Sequence, residues 1–155
     1  MKRALSQPGP HYAALIELLR TAETLWNSSR VFFVRWDISP SQFNLLNLLY
    51  GLPDGCSQTE LSRQLIMHRS NVTGLVDRLA GRGLVRRAES AGDRRAFTLL
   101  LTPAGRKLIR EILPHYYRAA EAVCSNLPAA RTAKLIQELQ IIRAAAENIG
   151  PHESR

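Results

Sequence analysis

Apolar residues recur every three or four positions along most of this chain, and the interruptions mark out its elements. Leu15, Leu18, Leu19, Ala22, Leu25, Trp26 and Phe33 form one stripe, which predicts a first helix from about His11 to Phe33. Trp26 and Phe33 lie on it, as core, subunit-interface or ligand contacts. Ser39-Pro40-Ser41-Gln42 then supplies a cap, a proline suited to the first helical position and a glutamine able to close a capping box. Phe43, Leu45, Leu46, Leu48 and Leu49 follow, and Pro53-Asp54-Gly55 reads as a turn. Ser57-Gln58-Thr59-Glu60 is a second capping box and opens a third helix, with Leu61 and Leu65 inward. After a turn at Ile66-Met67-His68, a fourth helix runs from about Arg69 to Gly81, with Val72, Leu75, Val76 and Leu79 as its inward stripe. Gly81 and Gly83 end it.

The period then changes. Leu84 to Arg87 reads as a strand, Ser90-Ala91-Gly92-Asp93 as a turn, and Ala96 to Leu101 as the returning strand. Thr102 caps a fifth helix with Pro103 at its first position. Pro114 lies inside that helix's apolar stripe, where a missing amide and a steric clash predict a kink or a break. A sixth helix follows Pro128, from roughly Ala130 to Asn148, with Leu135, Ile136, Leu139, Ile142 and Ala146 as its stripe. Helix, turn, helix and basic hairpin is the order of parts in a winged helix-turn-helix. The expected fold is therefore mainly α with a small β-wing. The expected divisions are an arm and first helix (1–36), a DNA-binding lobe (37–103) and C-terminal helices (104–155).

Charge sharpens that reading. The 155 residues carry a net charge of +8, which favours a polyanionic partner. Between Ser57 and Thr102 there are eight basic residues and four acidic ones, so this segment alone holds net +4. No run of about 18 apolar residues spans a bilayer, and the N-terminus lacks the features of a signal peptide. The expectation is a cytoplasmic protein without a membrane partner. Cys56 and Cys124 belong to no C-x-x-C pair and are expected as reduced thiols; a helix start just after Cys56 favours a lowered pKa there. His11, His68, His115 and His152 are scattered and do not support a metal site, so none is expected. No nucleophile elbow, zinc-protease, P-loop or dinucleotide motif occurs, so neither an enzyme nor a cofactor is expected.

The start of the fourth helix is short and polar, as groove entry requires. Arg69 suits guanine O6 and N7, Asn71 suits adenine N6 and N7, and Ser70 and Thr73 permit close approach. Gly74 has no side chain to hold the helix away. Ser57, Gln58 and Thr59 at the start of the third helix, and His68 in the turn, join this DNA-facing set. In the wing, Asp93 stands beside Arg94 and Arg95, and a carboxylate there can orient an arginine for the narrow minor groove. Arg78, Arg86 and Arg87 are further contact candidates. Asp77 with Arg78 is alternatively an internal brace, and Arg82, Arg86 and Arg87 alternatively meet phosphate or solvent.

The sequence Leu61-Ser62-x-x-Leu65, then Ser70-Asn71-Val72-Thr73-x-Leu75-Val76-Asp77-Arg78-Leu79, then Gly83-Leu84-Val85-x-Arg87, then Asp93-Arg94-Arg95 leading to Leu101-Thr102-Pro103-x-Gly105, resembles the MarR family of bacterial transcriptional regulators. The resemblance implies a triangular homodimer joined by the first, fifth and sixth helices, with Arg95 in the minor groove and Asp93 orienting it. His68 departs from the family's frequent capping serine. A two-fold dimer requires a palindromic operator, and the resemblance further implies release by a small, often aromatic, acid. Candidate walls for that ligand are Trp26, Arg30, Phe43, Asn47 and Tyr50, with Arg30 pairing a carboxylate. Leu5, Leu15, Leu18, Leu135, Leu139 and Ile142 are the candidate interface residues. The competing readings are a non-specific architectural DNA binder and a regulator that responds to oxidant or metal. The first helix holds no cysteine, which disfavours oxidant sensing by that route.

Overall fold

The computed structural model describes residues 9–65, 72–90 and 93–149. Helix α1 (Pro10–Phe33) leads through a short 3-10 turn (Val34–Trp36) to α2 (Pro40–Tyr50). Strand β1 (Cys56–Ser57) and α3 (Gln58–Gln64) follow, then α4 (Val72–Gly81), β2 (Val85–Ser90), β3 (Asp93–Leu101), α5 (Pro103–Cys124) and α6 (Ala129–Glu147). The chain divides into two units, residues 1–109 and 110–155.

The first unit is organised by its caps. The Gln42 amide donates to Ser39 Oγ (3.2 Å) and the Ser39 amide donates to Gln42 Oε1 (2.8 Å), so the expected capping box is complete. It starts α2 so that Phe43 stacks on Phe33, with ring centroids 4.5 Å apart. Both rings are buried, together with Leu45, Leu46, Leu49, Leu61, Val76, Leu79 and Ile109. Between the 3-10 turn and α2, Asp37 has φ +52°, a left-handed conformation that aspartate tolerates better than most residues.

The wing has three strands, not the two expected. Its order is β1-β3-β2, all antiparallel, with Cys56 opposite Leu99 and Ser57 opposite Thr98. Two residues carry no readable period, so β1 was invisible in the hydrophobic pattern. Gly55, φ +75°, brings β1 in: a Cβ there would stand 2.3 Å from the Leu99 carbonyl oxygen. Strands β2 and β3 also run further than expected, with Ser90 opposite Asp93 and an irregularity between Glu89 and Ser90. The sequence pattern places Ser90 and Asp93 in the turn.

Thr102 joins the sheet to α5. Its hydroxyl donates to the Gly83 carbonyl (2.6 Å) and accepts from the Gly105 amide (3.1 Å). A Cβ at Gly105 would lie 2.1 Å from the Leu84 carbonyl oxygen, so only glycine lets α5 start this close to the strand. The helix then continues through Pro114 to Cys124, so of the expected kink or break the break does not occur. The proline is exposed, where a missing helical hydrogen bond costs least.

In the second unit a turn at residues 125–128 links α5 to α6. No residue of α6 is buried; Leu135, Leu139 and Ile142 are 38%, 37% and 45% exposed. Of the other candidate interface residues, Leu15 is exposed and Leu18 is half-buried, while Leu5 lies outside the described residues.

Candidate nucleic-acid interface

Helix α3 begins where β1 ends. Its first turn is capped by Ser57 Oγ, which accepts from the Glu60 amide at 3.1 Å. Gln58 is half-buried, and its Nε2 donates to Thr73 Oγ1 on α4 at 2.7 Å. Ser57, Thr59 and Thr73 are exposed. The structure therefore brings Gln58 and Thr73 together on one polar surface.

Helix α4 buries Val72, Leu75, Val76 and Leu79, the expected stripe, and leaves Thr73, Asp77 and Arg78 outside. A Cβ on Gly74 would meet the Arg78 guanidinium at 3.9 Å, so the arginine lies back along the outer face of the helix. His68, Arg69, Ser70 and Asn71 lie outside the described residues. Where α4 begins relative to Arg69 lies there too.

Asp77 is braced, but by a different arginine from the one expected. Arg87 Nη2 donates to Asp77 Oδ1 at 2.5 Å and ties β2 to α4. Arg78 has no carboxylate partner among the described residues; adjacent helical side chains do not face each other, whereas the strand-borne Arg87 meets Asp77 directly. Arg82 is also engaged: it donates to the Asp37 backbone carbonyl (2.5 Å) and pairs with Asp37 Oδ2 (3.3 Å). Arg86 is exposed with no carboxylate partner among the described residues. The backbone of β3 places Asp93, Arg94 and Arg95 where that strand begins. Their side chains lie outside what is described.

The Arg82–Asp37 pair closes one side of an open cavity of about 400 Å³. Arg30, Val34, Ile38, Ser39, Pro40 and Gln42 supply the rest of its lining. Of the five ligand candidates, Arg30 alone is in it. Phe43 belongs to the core, Asn47 is exposed, and Trp26 and Tyr50 are half-buried elsewhere. Periodicity puts Phe43 on an apolar face but does not say whether that face meets a core or a cavity.

Cys56 is 5% exposed. Burial, then the nearby Glu60 carboxylate, push its thiol pKa above the ordinary value, against a backbone hydrogen bond at Leu61 that lowers it. This reverses the expected lowering, because desolvation outweighs the helix start. Cys124 is exposed. Among the described residues there is no cluster of three potential metal ligands, and no helix is long and apolar enough to cross a membrane.

A family profile described as MarR family matches residues 36–96. The HTH-type transcriptional repressor YetL of Bacillus subtilis (strain 168) is 31% identical over 96 residues, covering 61% of this chain and 58% of YetL. The uncharacterized HTH-type transcriptional regulator YsmB of the same organism is 33% identical over 109 residues, covering 70% of this chain and 74% of YsmB. Among solved structures, the S. aureus MepR–DNA complex superposes with a TM-score of 0.76 at 21% identity, covering 86% of this chain and 97% of MepR. Bordetella bronchiseptica BpsR, described by the regulation of its DNA binding by 6-hydroxynicotinic acid, gives a TM-score of 0.76 at 22% identity, covering 88% and 98%. These likenesses establish the winged-helix fold.

Proposed function

Because the chain belongs to the MarR family of transcriptional regulators, we propose that it is a homodimeric, sequence-specific DNA-binding repressor, released from a palindromic operator by a small aromatic acid. The observation that carries the DNA reading is the outer face of α4. Thr73, Gly74 and Arg78 are presented there without bulky apolar side chains, and Gln58 and Arg87 tie that helix to α3 and to the wing. A helix held from both sides reads base edges in a fixed register. The MepR–DNA complex supports the same use of this fold. In this reading Arg69, Ser70 and Asn71 also contact the DNA, and Arg95, oriented by Asp93, enters the minor groove.

A second copy of the chain supplies the symmetry. The exposed apolar residues Leu15, Leu135, Leu139 and Ile142 are the proposed contacts. The ligand reading rests on Arg30 and Arg82, two cations on one cavity. A carboxylate there competes with Asp37 for Arg82 and so acts on the residue that follows α4. BpsR, whose regulator is named as an aromatic acid, supports that ligand class.

Nuclease footprinting on random-sequence duplexes tests the proposal. Discrete protected segments are expected. Uniform coverage proportional to protein concentration would instead identify an architectural, non-specific binder.

A further inference from the structure

The Gln58–Thr73 hydrogen bond joins two side chains whose backbones are both held. Ser57, immediately before Gln58, pairs with Thr98 of β3 and caps α3 through its hydroxyl. Val72, immediately before Thr73, is 2% exposed and anchors its turn of α4 in the core. The 2.7 Å contact is thus set by the sheet on one side and the core on the other. Its polarity matters. A hydroxyl has one proton and two acceptor sites. With the Gln58 amide donating into Thr73 Oγ1, one acceptor site is filled, and the threonine keeps its proton and one acceptor site.

We propose that Gln58 and Thr73 form one specificity-determining unit, in which Gln58 positions the Thr73 hydroxyl and biases it toward donating to the DNA. Filling one of the two acceptor sites biases the hydroxyl toward donating, so Thr73 favours an acceptor on the base edge, purine N7, guanine O6 or thymine O4. Gln58 is the positioning residue and Thr73 the one that touches the base. The proposal rests on the DNA-binding reading above.

Fluorescence-anisotropy titrations test it, using a selected binding site and its single-base-pair variants. The proteins are the wild type, Gln58→Ala, Gln58→Glu, Thr73→Val and the Gln58→Ala/Thr73→Val double variant, each checked for folding by thermal melting. Thr73→Val is expected to lose roughly fivefold of discrimination at one base pair of each half-site, the worth of a single hydrogen bond. Gln58→Ala is expected to lose discrimination at that same base pair, and the double variant no more than either single change. Gln58→Glu accepts the threonine proton, reverses the bond and shifts that position toward the amino groups of adenine and cytosine. Uniformly weaker binding by Thr73→Val with unchanged preference would mean that the hydroxyl meets phosphate. Defects at different base pairs, or additive losses, would mean that the two residues act separately. Wild-type protein showing no preference among the duplexes would overturn the sequence-specific reading itself, a result visible before any variant is made.

Discussion

Arg87 Nη2 lies 2.5 Å from Asp77 Oδ1 and holds the wing strand to α4, so an arginine that composition offers as a phosphate contact is already spent on a carboxylate. This contact sets the angle between the helix and the ribbon that must reach DNA together.

Removing either partner therefore weakens DNA binding. Both side chains are partly exposed, at 35% and 54%, so the cost in unfolding free energy is small, about 0.2–1 kcal/mol. The informative variant is Asp77→Ala. It deletes a negative charge, so a role limited to phosphate attraction by Arg87 would leave affinity unchanged or raise it. The brace requires affinity to fall in both Asp77→Ala and Arg87→Ala, measured by anisotropy at fixed salt.

Gly105→Ala is expected to destabilise the fold by about 1–3 kcal/mol or more, because the new methyl overlaps the Leu84 carbonyl and forces α5 away from the sheet. Gly81→Ala is the control: nothing lies within 4 Å of its Cβ position. Urea denaturation should separate the two, with a lower midpoint in Gly105→Ala alone.

The two thiols should differ in reactivity. Cys124 is exposed and reacts with a disulfide reagent in the folded protein at pH 8, whereas Cys56 reacts only on unfolding. The sign of the pH effect follows from the raised pKa of Cys56. The thiol is neutral in both states below the ordinary thiol range. Above that range the unfolded chain ionises first, so stability falls as pH rises toward the folded-state pKa. A Cys56→Ser variant should lose that alkaline dependence.

Arg30→Ala should blunt the response of the protein–DNA complex to salicylate-like acids while leaving ligand-free affinity intact. The coupling required is only about 1–3 kcal/mol, within reach of one carboxylate–guanidinium contact that differs between states. A titration in which the variant releases DNA at the same acid concentration as wild type would place the ligand elsewhere.

Local chemistry was legible in the sequence and cross-element contact was not. Ser39 and Gln42 announce α2 because their bonds join residues three apart, and Thr102-Pro103 announces α5 in the same way. The stripe Val72, Leu75, Val76 and Leu79 is buried as its period predicts. By contrast, β1 is too short to have a period, and Asp77 pairs across ten residues with Arg87 instead of with its neighbour. Asp37 and Arg82 are 45 residues apart, so the cavity they close leaves no trace in spacing. Of the predicted ligand wall, Arg30 lines that cavity while Phe43 stacks on Phe33, because an apolar position looks alike beside a core and beside a pocket.

Selection of bound duplexes from a random pool, followed by sequencing, tests the central claim most directly. A homodimer that presents one α4 per subunit predicts a two-fold symmetric motif with half-site centres about one helical turn, roughly 10 base pairs, apart. Recovery of an unenriched pool, or of a motif without two-fold symmetry, would contradict it.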